Sequence, residues 1–151
     1  MTPNQVFSIV NPIAALSWVL LIAMPGRPWV NRLVTGFAIP TLFAIVYTAI
    51  VIVQFAGSPG GFSSLADVAL LFQNPWLLLA GWIHYLAFDL LVGTWISRDA
   101  RERALPHLVI VPVLMLTFLF GPAGWLLYQT MRGSASLLRG RFDVRPESAT
   151  L

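Results

Sequence analysis

The chain has 151 residues, 58% of them hydrophobic and only 10% charged. That is too little charge to cover a soluble domain of this size, so the composition points to an integral membrane protein. There is no cysteine, and all nine basic residues are arginines; disulfides, thiolate catalysis and cysteine-ligated metals are excluded, and with no interleaved aromatic residues the arginines set topology or touch anionic lipid and do not form a nucleic-acid surface.

The opening "MTPNQVFSIVNP" has no basic residue, so neither a secretory signal nor an organellar transit peptide is predicted; a bacterial inner (cytoplasmic) membrane is the expected location, with an already processed organellar protein as the alternative. Hydropathy marks four segments of about 20 residues or more, each able to cross a bilayer core of ~30 Å. The first runs from about Thr2 to Met24, with Thr2 as cap, Pro3 at the first helical position and Gln5 completing a capping box. The second runs from about Leu33 to Ala56 and stops at "GSPGG". In "SSLADVALLFQ", Ser64 and Asp67 have capping-box spacing while Leu65, Val68, Ala69 and Phe72 share a face, which predicts a short interfacial helix. Asn74 and Pro75 open the third span, which continues to Ser97. "RDARERALP" reads as a loop at solvent or headgroup level, with anionic-lipid recognition as an added role. The fourth span runs from about His107 to Met131.

The predicted organisation is one four-span domain, residues 1–131, followed by a polar, arginine-containing tail, 132–151, expected to be flexible. The fold class is all-α, an integral membrane four-helix bundle with proline-kinked helices. Pro12, Pro40, Pro112 and Pro122 free the carbonyls of Ser8, Gly36, Leu108 and Phe118, which neighbouring helices or water must satisfy. Four spans put both termini on one side. Five arginines in the first and third loops then oppose four in the tail, a count too even to orient the chain.

The third span, "NPWLLLAGWIHYLAFDLLVGTWIS", divides into two halves when residues are placed at 100° intervals. Leu79, Ile83, Leu86, Ala87, Leu90 and Leu91 fill one semicircle, with Thr94 its only polar member, and predict a lipid-facing side. His84, Phe88, Gly81, Tyr85, Asp89, Trp82 and Gly93 fill the other and predict a pocket side. Tyr85 and Asp89 are four residues apart and can bond on the helix surface. His84 and Asp89 lie about 140° apart, so they are expected to line one pocket from two sides. At a depth of ~14 Å, His84 is level with Asn11, Tyr47 and Thr48, and with Gly121 and Pro122; Asp89 is level with Ser17, Thr41 and Thr117. Asn, Ser, Thr and Tyr in such a layer often only bond across helices, at ~1 kcal/mol or less each. A carboxylate at mid-span costs ~3 kcal/mol even on the mildest scale, so Asp89 must be protonated or bonded, and it is the strongest candidate for function.

No metal site is expected. The only two histidines, His84 and His107, stand ~20 Å apart in depth, too far for one ion. No nucleophile elbow, phosphate loop or dinucleotide fingerprint occurs, so no cofactor is predicted.

The third and fourth spans carry "GWIHYLAFDL", "RDA", "PHL" and "FLFGPAG" in order. In these tokens the chain resembles the abscisic-acid-deficient-four-like family of membrane proteins, whose plant members are required to make neoxanthin from violaxanthin. The resemblance implies a carotenoid or related polyene isoprenoid as substrate and acid/base isomerisation of an epoxide or end ring as the chemistry. Asp89 would then be the catalytic acid and His84 the base, with Tyr85, Trp82, Phe88, Tyr47, Asn11 and Thr117 as substrate-binding residues. The alternative is a non-enzymatic accessory subunit that binds pigment or lipid and packs in a homo-oligomer or larger membrane complex. Movement of protons or a small solute is a third reading, supported only by the single polar layer.

Overall fold

The computed structural model describes the backbone of residues 1–142 and the side chains of residues 1–133. Helix α1 spans Pro3–Ala23 and begins with a reciprocal cap. The Gln5 amide donates to Thr2 Oγ1 (3.3 Å), and the Thr2 amide donates to Gln5 Oε1 (2.8 Å). Helix α2, Ile39–Gln54, continues directly from a π-helical stretch, Val30–Ala38. In that wide turn the Asn31 carbonyl approaches Gly36 so closely that any Cβ would strike it. Pro40 has no N–H and stands where the ladder changes register.

Helix α3 is Leu65–Leu71, with Ser64 Oγ accepting from the Asp67 amide (3.1 Å). Helix α4 is Pro75–Glu102, with Asn74 Oδ1 accepting from the Trp76 amide (2.9 Å), and α5 is His107–Phe142. Among the described residues there is no strand. Four segments, Pro3–Ala23, Val30–Gln54, Pro75–Glu102 and His107–Gly133, are long and apolar enough to cross a membrane, the signature of a multi-pass membrane protein. Two boundaries differ from the sequence reading. The expected loop beginning at Arg98 forms the last turns of α4, and α5 extends past Met131 to Phe142; the rest of the tail, 143–151, lies outside the described residues.

Helix α4 is the centre of the bundle and touches α1, α2, the π-helical stretch and α5. Its two halves are largely the reverse of what the sequence predicts, although Asp89 and Gly93 are buried and Leu91 is exposed, as expected. Leu79, Ile83, Leu86, Ala87 and Leu90 are buried, packed against α1, α2 and α5, whereas Trp82, His84 and Phe88 are exposed. The reason is that lipid tails and a bundle interior are equally apolar, so hydrophobicity does not tell one from the other; close packing does.

Helix α5 folds back on itself. Phe120 has φ −145° and ψ 58°, which is not helical, and Gly124 comes up against Thr117 so closely that a Cβ would overlap the threonine main chain. After the break, residue numbers rise together along α4 and α5. Asp89 meets Gly121, Trp95 packs on Tyr128 (5.7 Å), and Asp99 meets Tyr128 (2.6 Å) and Arg132 (3.4 Å). This arm therefore runs parallel to α4. The arm before it, joined to α4 by a short turn and started by His107 beside Ile22, runs the other way. Each side of the break is a half-helix: residues 107–119 extend only ~20 Å, less than a bilayer core. Pro122 thus opens the returning arm, where its missing N–H costs nothing.

Pairings also set the directions of the other helices. Pro3 lies beside Pro75, Asn11 bonds Trp82, and the Pro25 carbonyl accepts from Arg101, so α1 is parallel to α4. Asn31 pairs with Ser97, Thr35 with Thr94 and Tyr47 with His84, so α2 is antiparallel to it. The start of α1 is therefore at one end of the bundle, while the returning arm of α5 reaches the other. The described part of α5 thus ends at the opposite end of the bundle from the start of α1, unlike four straight spans, because the hairpin turns back inside the bundle. Every arginine among the described side chains, Arg27, Arg32, Arg98, Arg101, Arg103 and Arg132, lies at the end where α4 finishes.

Candidate functional site

The hairpin apex brings the two half-helix ends of α5 against Asp89. Asp89 is 9% exposed, and its Oδ2 is buried without a hydrogen-bond partner. The carboxyl lies on the Gly121 main chain, with Tyr85 as its other polar neighbour. Only glycine allows this approach, since an added Cβ would stand 2.7 Å from Oδ2 and closer to the other carboxyl atoms. The returning arm begins here, so its positive end faces the carboxyl. The outgoing arm ends here, and its free carbonyls need donors. The Tyr85 hydroxyl supplies one, donating to Phe118 O (3.1 Å) and Leu119 O (3.0 Å). The Phe118 carbonyl, expected from the position of Pro122 to need a neighbouring helix, thus obtains a partner on α4. A cavity of about 280 Å³ opens beside the acid, lined by Asp89, Val92, Gly121, Pro122 and Trp125.

His84 lies elsewhere. Its ring stacks on Phe88 (4.5 Å) and meets Tyr47 edge-on (5.7 Å). It lines a separate cavity of about 490 Å³ among α2, α3 and α4, walled by Phe55, Phe62 and Phe72 as well as Tyr47. The expectation that His84 and Asp89 face one pocket is corrected: five helical positions turn them to different neighbours, α2 for His84 and α5 for Asp89. Trp82 and Asn11 form a third group, with the Trp82 Nε1–H donating to Asn11 Oδ1 (2.7 Å) and the indole packed on Tyr85 (5.3 Å). Thr117 is fully buried in the outgoing arm and donates to Val113 O (2.8 Å), while Thr41 and Thr48 face outward. The structure therefore links Asn11, Trp82, Tyr85 and Asp89 through successive contacts and groups Tyr47, His84 and Phe88 apart from them.

Two polar clusters were not singled out from the sequence. Thr94 Oγ1 donates to Thr35 Oγ1 (2.8 Å), and Asn31 Nδ2 donates to Ser97 Oγ (3.4 Å) and Pro25 O (3.2 Å). The paired spacings, four residues from Asn31 to Thr35 and three from Thr94 to Ser97, were visible signals. Asp99 accepts from Tyr128 (2.6 Å) and Arg103 Nε (2.7 Å) and lies near Arg132, with its side chain 13% exposed. It ties the returning arm to the end of α4. Among the described residues no three His, Asp or Glu side chains converge as metal ligands; His107 instead donates from Nε2 to Ile22 O (2.8 Å).

The family model described as ABA DEFICIENT 4-like matches residues 5–128, from the first turn of α1 into the returning arm of α5. No curated protein and no solved structure matches the chain.

Proposed function

This chain belongs to the ABA DEFICIENT 4-like family, and from that premise we propose that it acts on a carotenoid or related polyene isoprenoid by acid/base isomerisation at Asp89. The observation that carries the reading is the buried, unpartnered Asp89 Oδ2 at a broken helix, beside a cavity of about 280 Å³. An intramembrane carboxyl is costly, and non-helical backbone at bilayer depth is tolerated where it is packed in protein or lines a cavity.

In the proposed step, the Asp89 carboxylic acid gives its proton to an epoxide oxygen of the ring and the C–O bond opens. The proton lost from the adjacent polyene carbon returns to the carboxylate, leaving an isomer and a regenerated acid. Trp125 and Pro122 hold the ring, and Tyr85 fixes the apex beside the acid. The base assigned to His84 from the sequence moves to Asp89 itself, because His84 opens on the other cavity.

The accessory reading has one observation in its favour: the larger His84 cavity is walled by aromatic and aliphatic side chains and contains no acid. Pigment analysis of cells with and without the gene, and with Asp89→Asn or His84→Ala, separates the two. Loss of the pigment change in Asp89→Asn alone, at normal protein level, supports the enzyme. Unchanged pigments throughout, with pigment bound to the purified protein, support the accessory subunit.

The arginine-bearing end is proposed to be the cytoplasmic side of a bacterial inner membrane. The loop from Phe55 to Asn74 at the opposite end carries no basic residue.

A further inference from the structure

At the arginine-bearing end, the start of the π-helical stretch and the end of α4 enclose a cavity of about 350 Å³, lined by Pro28, Asn31, Arg32, Arg98, Arg101 and Glu102. We propose that it is a binding site for a phosphate group that carries a nearby hydrogen-bond donor, as in a glycerol-bearing phospholipid headgroup. Three guanidinium groups against one carboxylate leave the lining at +2. Among the described residues no ion pair joins Arg32, Arg98 or Arg101 to an acid; the two ion pairs present both belong to Asp99. Arg101 is nevertheless held, by donation from Nη1 to Pro25 O (2.7 Å). Guanidinium groups at such a site recognise phosphate through paired N–H donors.

Asn31 gives the site its second element. It is 1% exposed, and Nδ2 is occupied by Pro25 O and Ser97 Oγ, which fixes the amide orientation because a carbonyl only accepts. Its Oδ1 has no partner and is the one unmet buried acceptor on a residue that lines this cavity. The Thr35–Thr94 bond locks the same two segments together one turn deeper, which holds the arginines in a fixed frame. Trp29, Leu33 and Phe37, spaced four apart along the same stretch, are exposed and offer a surface for acyl chains beside the headgroup.

The test uses the full-length protein in neutral detergent at about 0.15 M salt, where attraction beyond ~8 Å is screened. It is titrated with a short-chain phosphatidylglycerol, with diacylglycerol, and with inorganic phosphate, and the rise in thermal midpoint is read. Phosphatidylglycerol is expected to bind, and Arg32→Gln and Arg98→Gln each to weaken it about tenfold. Arg27→Gln, at the same end but outside the cavity, is expected to change binding less than about twofold. Binding by inorganic phosphate that the same two variants abolish supports the site with a soluble ligand, and binding by lipid alone assigns it to a headgroup. Equal effects of Arg27→Gln and Arg98→Gln, or equal binding of diacylglycerol and phosphatidylglycerol, overturn the proposal. The variants replace exposed side chains, and circular dichroism checks that each is folded.

Discussion

The contact between Asp89 and Gly121 allows the hairpin itself to be tested. Gly121 does not have a positive φ, so alanine is conformationally acceptable there and only space opposes it. An added Cβ would lie 2.5 Å from Asp89 Cγ and 2.7 Å from Oδ2. Carbon atoms rest at ~3.5 Å or more, so the apex or the carboxyl must move by about 1 Å. Overpacking of this kind costs about 1–3 kcal/mol, and the helix preference of alanine over glycine returns up to ~1 kcal/mol. Gly121→Ala is therefore expected to destabilise by about 1–2 kcal/mol. With Asp89→Ala already present, the obstructing atoms are gone and the same change should be neutral or slightly stabilising. The coupling between the two sites should be at least ~1 kcal/mol. The measurement is reversible unfolding of all four proteins in mixed micelles by added sodium dodecyl sulfate, followed by circular dichroism. Equal losses from Gly121→Ala in both backgrounds would refute the geometry, because two arms of a straight α5 would not bring residue 121 against Asp89.

Tyr85→Phe removes the hydroxyl that serves Phe118 O and Leu119 O, and the same unfolding assay should show a loss of ~1 kcal/mol, within the range of interhelical bonds in bilayers. Ala104, at the end of α4, holds φ 55°, so Ala104→Gly should raise stability by up to ~1 kcal/mol; an unchanged or lower midpoint counts against strain there. The chain has no cysteine, so Ser63→Cys and Arg27→Cys can be labelled singly in sealed membranes. Ser63 should react from the side of the N-terminus and Arg27 from the opposite side, together with a tag placed after residue 151. Tags at the two termini reporting the same side would contradict the re-entrant arrangement of α5.

Much of the local structure was legible without tertiary information. Thr2, Pro3 and Gln5 specify the start of α1, and Asn74 and Pro75 the start of α4, because each cap is made by side chains within a few residues of the amides it satisfies. Asp89 stood out as a costly group, and Tyr85 as its neighbour, from spacing alone. The loop reading failed over residues 98–102, where charge was taken as a sign of irregular chain, while residues 103–106 form the turn between the helices. Asp99 carries its charge into the bundle, where Tyr128 and Arg103 satisfy it and the helix continues.

The sequence by itself determined that the described residues are helical with segments apolar enough to cross a membrane, where α1, α3, α4 and α5 begin, and which carboxyl within them needed an explanation. Those properties depend on composition, on caps and on the energy of one residue in a given medium, all of which act locally. Only the tertiary structure decided that the apolar half of α4 faces protein, that His84 and Asp89 serve different cavities, and that α5 reverses at Phe120 to place all the described arginines at one end. Hydropathy is the same along a straight span and along two half-helices folded together. The difference rests on the close approaches of Gly121 to Asp89 and of Gly124 to Thr117, contacts between residues whose juxtaposition no periodicity encodes.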